Sequence, residues 1–116
     1  MTTRISVSEL EGIVTKILVG AGLCDAQARA VARVITAGER DACKSHGIYR
    51  IDGCLDTLAA GKVNPMAEPS LQDDGSGVIR VDAQGGFSPA AFALGAPVLA
   101  DRARALGIAA LVINDC

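Results

Sequence analysis

Two short apolar runs, separated by one helix-length segment, restrict what this chain can fold into more than any other feature. Val78-Ile79-Arg80-Val81 alternates like a strand, and Ile108-Ala109-Ala110-Leu111-Val112-Ile113 is apolar throughout. Between them, Ser88-Pro89 opens a helix, because proline costs least at the first helical position, where its missing N–H has no partner to lose. Gly107 closes that helix after about Leu106. Strand, helix and strand predict a βαβ unit, right-handed if both strands share a sheet. The second run carries no polar residue, so it predicts a strand buried on both faces.

Upstream of this unit the apolar residues follow helical spacing. Ser8-Glu9-Leu10-Glu11 predicts a capping box, followed by Leu10, Ile13, Val14, Ile17 and Leu18 on one face. Gly20-Ala21-Gly22 ends that helix. Asp25 predicts the cap of a second helix, with Ala28, Val31, Ala32 and Ile35 inward, running to about Lys44. A third helix starts near Gly47 or Ile48, carries the stripe Ile48, Ile51, Leu55 and Leu58, and stops at Gly61. Pro65, Pro69, Asp73, Asp74, Gly75 and Gly77 make 64–77 loop-like. The fold class is therefore α/β: a helical segment over 1–63, a linker over 64–77, and the start of a β-α-β domain over 78–116. Asn114-Asp115-Cys116 follows directly on a strand, where α/β sheets bind ligands, and the loop that would carry such a site is not in the sequence. That predicts a fragment of a larger fold.

Composition excludes several partners. Of 116 residues, 11 are basic and 13 acidic, and Arg29, Arg33, Arg40 and Lys44 are spread among acids, so no basic patch invites nucleic acid or an anionic membrane. Thr2, Thr3 and Arg4 follow Met1 without a long apolar run, which argues against a secretion signal or membrane span. Cys24, Cys43, Cys54 and Cys116 form no CxxC pair, and a single histidine cannot complete a zinc site, so no metal is expected. Free thiols without a leader predict a cytoplasmic protein.

The residues with chemical capacity cluster in Lys44-Ser45-His46-Gly47. His46 is the only histidine, a residue type that can shuttle a proton, and Ser45 can hydrogen-bond a ligand or a catalytic neighbour. Arg50 lies four residues on, so a continuous helix would put it on the face of His46, where its guanidinium could grip a carboxylate in bidentate fashion. The plainer alternatives are a helix cap for Ser45-His46 and an ion pair from Arg50 to Asp52 or Glu39. Gly75-Ser76-Gly77 and Gly85-Gly86 do not fit G-x-G-x-x-G. Gln84-Gly85-Gly86-Phe87-Ser88 joins a strand to a helix, as an anion-binding amide turn or simply as a tight βα turn. Cys43 and His46 are too few for a metal, and Cys54 reads as a small buried residue.

SHGIYRIDGCLDTLAAGKVNP, from Ser45 to Pro65, resembles the SHG-x-x-R segment of the malate/L-lactate dehydrogenase-like family, which includes ureidoglycolate, sulfolactate and diketogulonate enzymes. VIRVDAQGGFSPAAFALGAPVLADRARALGIAALVIND, from Val78 to Asp115, is similar to the same family, most of all to its branch that reduces Δ1-piperideine-2-carboxylate and Δ1-pyrroline-2-carboxylate. The resemblance implies a homodimer with a nicotinamide-binding fold that is not of the Rossmann type. It implies that Ser45 and His46 form a proton relay and that Arg50 holds the substrate carboxylate. It implies NADPH as hydride donor, with NADH as the alternative, and places most cofactor contacts and the proton donor after Cys116, in the rest of the same polypeptide or in a second chain. The activity implied is reduction of a cyclic imine to L-pipecolate or L-proline. The alternatives are a dehydrogenase of 2-hydroxy or 2-oxo acids of the malate, lactate or ureidoglycolate type, and an inactive fragment or dimerisation module.

Overall fold

The computed structural model describes residues 2–116. Four helices and three strands follow in the order α1 (Val7–Gly20), α2 (Asp25–Arg40), a 3-10 turn (Lys44–His46), α3 (Arg50–Ala59), β1 (Ser70–Gln72), β2 (Val78–Asp82), α4 (Ser88–Leu106) and β3 (Ala110–Asn114). The sheet runs β1-β2-β3. β2 and β3 are parallel, with Val81 opposite Ile113, and α4 connects them, which is the βαβ unit read from the sequence. β1 is antiparallel to β2.

Helix α1 starts two residues earlier than expected. Ser6, not Ser8, is its cap: its Oγ accepts from the Glu9 amide at 3.1 Å, and its own amide donates to Glu9 Oε2 at 2.7 Å. Both serines have a glutamate three residues on, so either box satisfies the spacing. The earlier one also forms the bond from the Leu10 amide to the Ser6 carbonyl at 3.0 Å. Helix α2 is not capped by Asp25. Cys24 holds the cap position without a side-chain bond, and Asp25 instead pairs with Arg29 at 2.8 Å. The helix stops at Arg40, short of Lys44, because Ala42 adopts a left-handed φ of 57° and the Cys43 amide closes on the Gly38 carbonyl at 2.8 Å. Val14 and Leu18 of α1 meet Ala28, Val31, Ala32 and Ile35 of α2 and Leu23 between them in one buried cluster. Ile51, Cys54, Leu55 and Leu58 of α3 cover its side. A fully buried leucine contributes about 1.5–3 kcal/mol of transfer free energy, so this packing, more than helix propensity, holds the three helices.

Strand β1 lies inside the stretch read as loop. Three residues give too little alternation to register as a strand, and only pairing with β2 makes it one. β3 also departs from expectation. Helix α4 covers one face of it, so closely that a Cβ on Gly95 would stand 2.6 Å from Leu111 Cδ1 and 3.0 Å from Val81 Cγ2. The other face is open: Val112 is 38% exposed and Ile108, just before the strand, 82%. Apolarity throughout β3 therefore marks one packed face and one uncovered face within this chain.

The segment 64–67 ties the helices to the carboxyl ends of β2 and β3. Its Pro65 carbonyl accepts from the Cys24 amide at 2.9 Å, and the Asn64 amide donates to the Gly85 carbonyl at 2.7 Å. Gln27, fully buried on α2, donates from Nε2 to the Ala67 carbonyl at 3.1 Å. The Gly85 amide in turn donates to the Asp115 carbonyl at 2.8 Å. This junction brings the βα turn of the sheet against the helical core.

Candidate active site

The Ser45-His46 turn is seated on α2 by two glycines and one glutamate. A Cβ on Gly38 would run into the His46 carbonyl, and a Cβ on Gly47 into the Glu39 carboxylate, so only glycine allows this approach. Glu39 Oε1 accepts from the Ile48 amide at 2.9 Å and fixes the exit of the turn. On this seat Ser45 Oγ lies 2.9 Å from His46 Nδ1, and Cys43 Sγ lies 3.5 Å from the same nitrogen. All three side chains are exposed. The serine hydroxyl engages one ring nitrogen and leaves Nε2 for another partner; which nitrogen carries the proton is set by what Nε2 meets. The turn caps no helix through a side chain, so the plain capping alternative is not what the geometry shows.

Arg50 does not share a helix face with His46. The chain leaves the 3-10 turn through Gly47, and Arg50 is the first residue of α3, its amide bonded to the Gly47 carbonyl at 3.0 Å. Among the described residues Arg50 makes no ion pair or hydrogen bond through its side chain, so neither Asp52 nor Glu39 claims it. It stands instead in a cleft of about 490 Å³ lined by Tyr49, Arg50, Asp52, Gly53, Cys54, Thr57 and Phe87. Ser45 and His46 do not line this cleft. The structure thus pairs Ser45 with His46 and puts Arg50 in a cleft that this pair does not line. Burial pushes the Cys54 thiol up, against a smaller opposing pull from Arg50, which disfavours its thiolate.

The glycine-rich βα turn spends its amides inside the protein. The Gln84 amide donates to Asp82 Oδ1 at 2.8 Å, Gly85 to the Asp115 carbonyl at 2.8 Å, and Gly86 to the Ala83 carbonyl at 3.0 Å. These three amides are engaged within the fold, which is the tight βα turn of the plainer reading. What the turn presents is Phe87, the cap residue of α4, which packs on the helical core and reaches the Arg50 cleft. No group of three His, Cys, Asp or Glu side chains gathers for a metal among the described residues, and none of their helices is long and apolar enough to cross a membrane.

Sequence reasoning missed Phe87, Gly53, Gly38 and Glu39. Gly38 and Gly53 had a signal, a glycine inside a helical pattern, which is costly unless something needs the space. Phe87 had none, because its partners lie far along the chain, and Glu39, weighed only as a partner of Arg50, instead bonds the Ile48 amide nine residues on.

A family model described as malate/L-lactate dehydrogenase matches residues 5–116. A Δ1-pyrroline-2-carboxylate reductase of Agrobacterium fabrum is 57% identical over 99% of this chain and 34% of its own length. A Δ1-pyrroline-2-carboxylate/Δ1-piperideine-2-carboxylate reductase of Pseudomonas aeruginosa is 49% identical over 97% of this chain and 34% of its own. The crystal structure of Δ1-piperideine-2-carboxylate reductase from Pseudomonas syringae superposes with a TM-score of 0.91 at 38% identity, over 97% of this chain and 34% of that one. Malate dehydrogenase from Entamoeba histolytica has the same fold over this stretch, at 24% identity and a TM-score of 0.81. The chain spans about a third of the length of the curated relatives it matches.

Proposed function

The chain belongs to the malate/L-lactate dehydrogenase family, and on that premise we propose that the whole protein is a nicotinamide-dependent reductase of cyclic imine 2-carboxylates. The substrates are Δ1-piperideine-2-carboxylate or Δ1-pyrroline-2-carboxylate, the products L-pipecolate or L-proline, and the donor NADPH. The relatives at 57% and 49% identity support this branch over the 2-oxo acid reductases of the same family. The observation that carries the reading within this chain is the Arg50 guanidinium, exposed to a cleft and claimed by no protein carboxylate. Such a cation binds and orients a substrate carboxylate, and a charge-assisted pair of this kind is worth about 1.5–3 kcal/mol.

The nicotinamide, when bound, supplies the hydride that adds to the substrate carbon. This chain's residues act on the carboxylate and on the proton. Ser45 holds His46 Nδ1 and so orients the ring, whose Nε2 can pass a proton toward the substrate nitrogen or oxygen. An iminium substrate already carries its proton, so His46 matters less there than for a 2-oxo acid. Four free cysteines suit a reducing cytoplasm, and we take the working assembly to be a homodimer.

Steady-state kinetics of the whole protein test this. Arg50→Ala is expected to raise KM for the imine carboxylate about 10- to 100-fold, with NADPH affinity nearly unchanged. His46→Ala is expected to lower kcat on pyruvate more than on the imine. Equal loss of carboxylate and cofactor affinity in Arg50→Ala would count against the carboxylate role. Turnover of pyruvate alone would favour the 2-oxo acid reading, and no NADPH oxidation with either substrate would favour a module without chemistry.

A further inference from the structure

Gly53 sits inside α3, three residues beyond Arg50 and so beside it on the helix surface. A glycine there weakens the helix about two- to fivefold in the folding equilibrium relative to alanine. The other glycines near the site have a reason to be glycine. Gly38, Gly47 and Gly86 face atoms that a Cβ would strike, and Gly85 has a positive φ of 78°. Gly53 has neither reason: its backbone is helical, and a Cβ there would meet nothing within 4 Å. Gly12 and Gly20 of α1 are equally open, but no unpaired guanidinium stands beside them. What the absence of a side chain at 53 provides is room in the Arg50 cleft, which Gly53 lines.

Phe87 is the aromatic wall of that space. It is half-buried, backed by the helical cluster, and fixed at the cap of α4 by the turn that Asn64 and Asp115 hold. A guanidinium, an aromatic surface and a void between them suit a carboxylate carried on a small ring: the carboxylate meets Arg50, and the ring fills the space over Gly53 against Phe87. An open-chain 2-oxo acid would use the guanidinium and leave that space empty.

We propose that Gly53, together with Phe87, determines selectivity for ring-bearing over open-chain carboxylates in the Arg50 cleft. The proposal rests on the reading of Arg50 as the carboxylate site. Its test is direct binding, independent of turnover: titration calorimetry of the whole protein with cyclopentanecarboxylate and with propanoate, for the wild type, Gly53→Ala, Gly53→Leu and Arg50→Ala. Gly53→Leu is expected to weaken cyclopentanecarboxylate about tenfold or more, the scale set by small volume changes in an apolar pocket. Propanoate binding is expected to change less than about twofold on the same basis. Gly53→Ala is expected to raise the thermal midpoint, since the cost it removes is one of helix formation, while still disfavouring the ring ligand. Equal weakening of both carboxylates by Gly53→Leu, or none, overturns the assignment of selectivity to Gly53. If Arg50→Ala leaves both affinities unchanged, the carboxylate site itself is misplaced and the proposal falls with it. If Arg50→Ala weakens both while Gly53→Leu does not discriminate, only the selectivity proposal fails.

Discussion

Between α1 and α2 the chain closes Val14, Leu18, Leu23, Val31 and Ile35 almost completely from solvent, whereas the cluster beneath α4 is Val81, Ala83 and Ala91, with Leu111 and Ile113 only half-buried. The helical region has branched side chains on both sides of its core. The sheet region buries Ile79 and Val81 as fully but backs them with the small Ala83 and Ala91, and it leaves Phe92, Leu106 and Ile108 more than half exposed. The two regions therefore contribute differently. Ser45, His46 and Arg50 stand on or beside helices that pack well by themselves, and the sheet contributes one wall, Phe87, through a turn that the junction at 64–67 holds in place. Rigidity at a site comes from the packing beneath its residues, and here that packing is mainly helical.

The largest test of this comparison is a pair of leucines. Leu18→Ala, at a fully buried position, is expected to cost about 2–5 kcal/mol in denaturant unfolding. Leu111→Ala, at a half-buried position over the sheet, is expected to cost less than about 2 kcal/mol because less cavity is left behind. Equal losses would mean that the sheet region is as well packed as the helical one.

A smaller effect addresses the junction. A Cβ on Gly86 would lie 2.6 Å from Gln27 Nε2 and 2.8 Å from Ala67 Cβ, so Gly86→Ala is expected to cost about 1–3 kcal/mol by overpacking. Because these atoms belong to both regions, one unfolding transition should shift as a whole. Two transitions, with the helical one unmoved, would show that the regions are not coupled there.

The smallest expected effect is in acid. Hydrogen bonds from Arg102 and from the Gly75 amide hold the Asp73 carboxyl below its ordinary range, and the Arg102–Asp73 pair spans 2.7 Å. A carboxyl depressed in the folded state gives stability that is complete above its unfolded value of about 3.9 and is lost as pH falls through the lower folded value. Protection of the 73–76 amides, measured against the intrinsic exchange rate at each pH, should therefore fall below about pH 4, and Arg102→Ala should flatten that dependence. Glu9, lowered by the Ser6 amide and hydroxyl, gives the helical region a similar weak acid response. Absence of any acid response at 73–76 would show that the ion pair does not order the loop.

Sequence periodicity made much of this readable and shows where it ends. α4, with proline near its start and left-handed Gly107 at its close, and the parallel pair it connects followed from local rules. β1 did not, because its three residues become a strand only through β2. The Ser6 box and the early stop of α2 turned on choices between equally allowed local geometries. At the site, residue types pointed to Ser45, His46 and Arg50, but spacing alone put His46 and Arg50 on one helix that the bend at Gly47 interrupts. The seat on Gly38 and Glu39 depends on a non-helical turn that spacing does not specify, and the wall at Phe87 on contacts that no short window of sequence contains.

The bond from Gln27 to the Ala67 carbonyl joins residues 40 apart, which has a consequence in time. Contacts between neighbouring helices close short loops and form early, whereas a tie of this reach must await the intervening chain and carries a larger closure entropy. The Ser45-His46 turn, resting on α2, is expected to exist before the tie closes. The hollow around Arg50 is expected to acquire its Phe87 wall only afterwards, so a newly made chain would hold the Ser45-His46 turn in place before that hollow is closed on its second side.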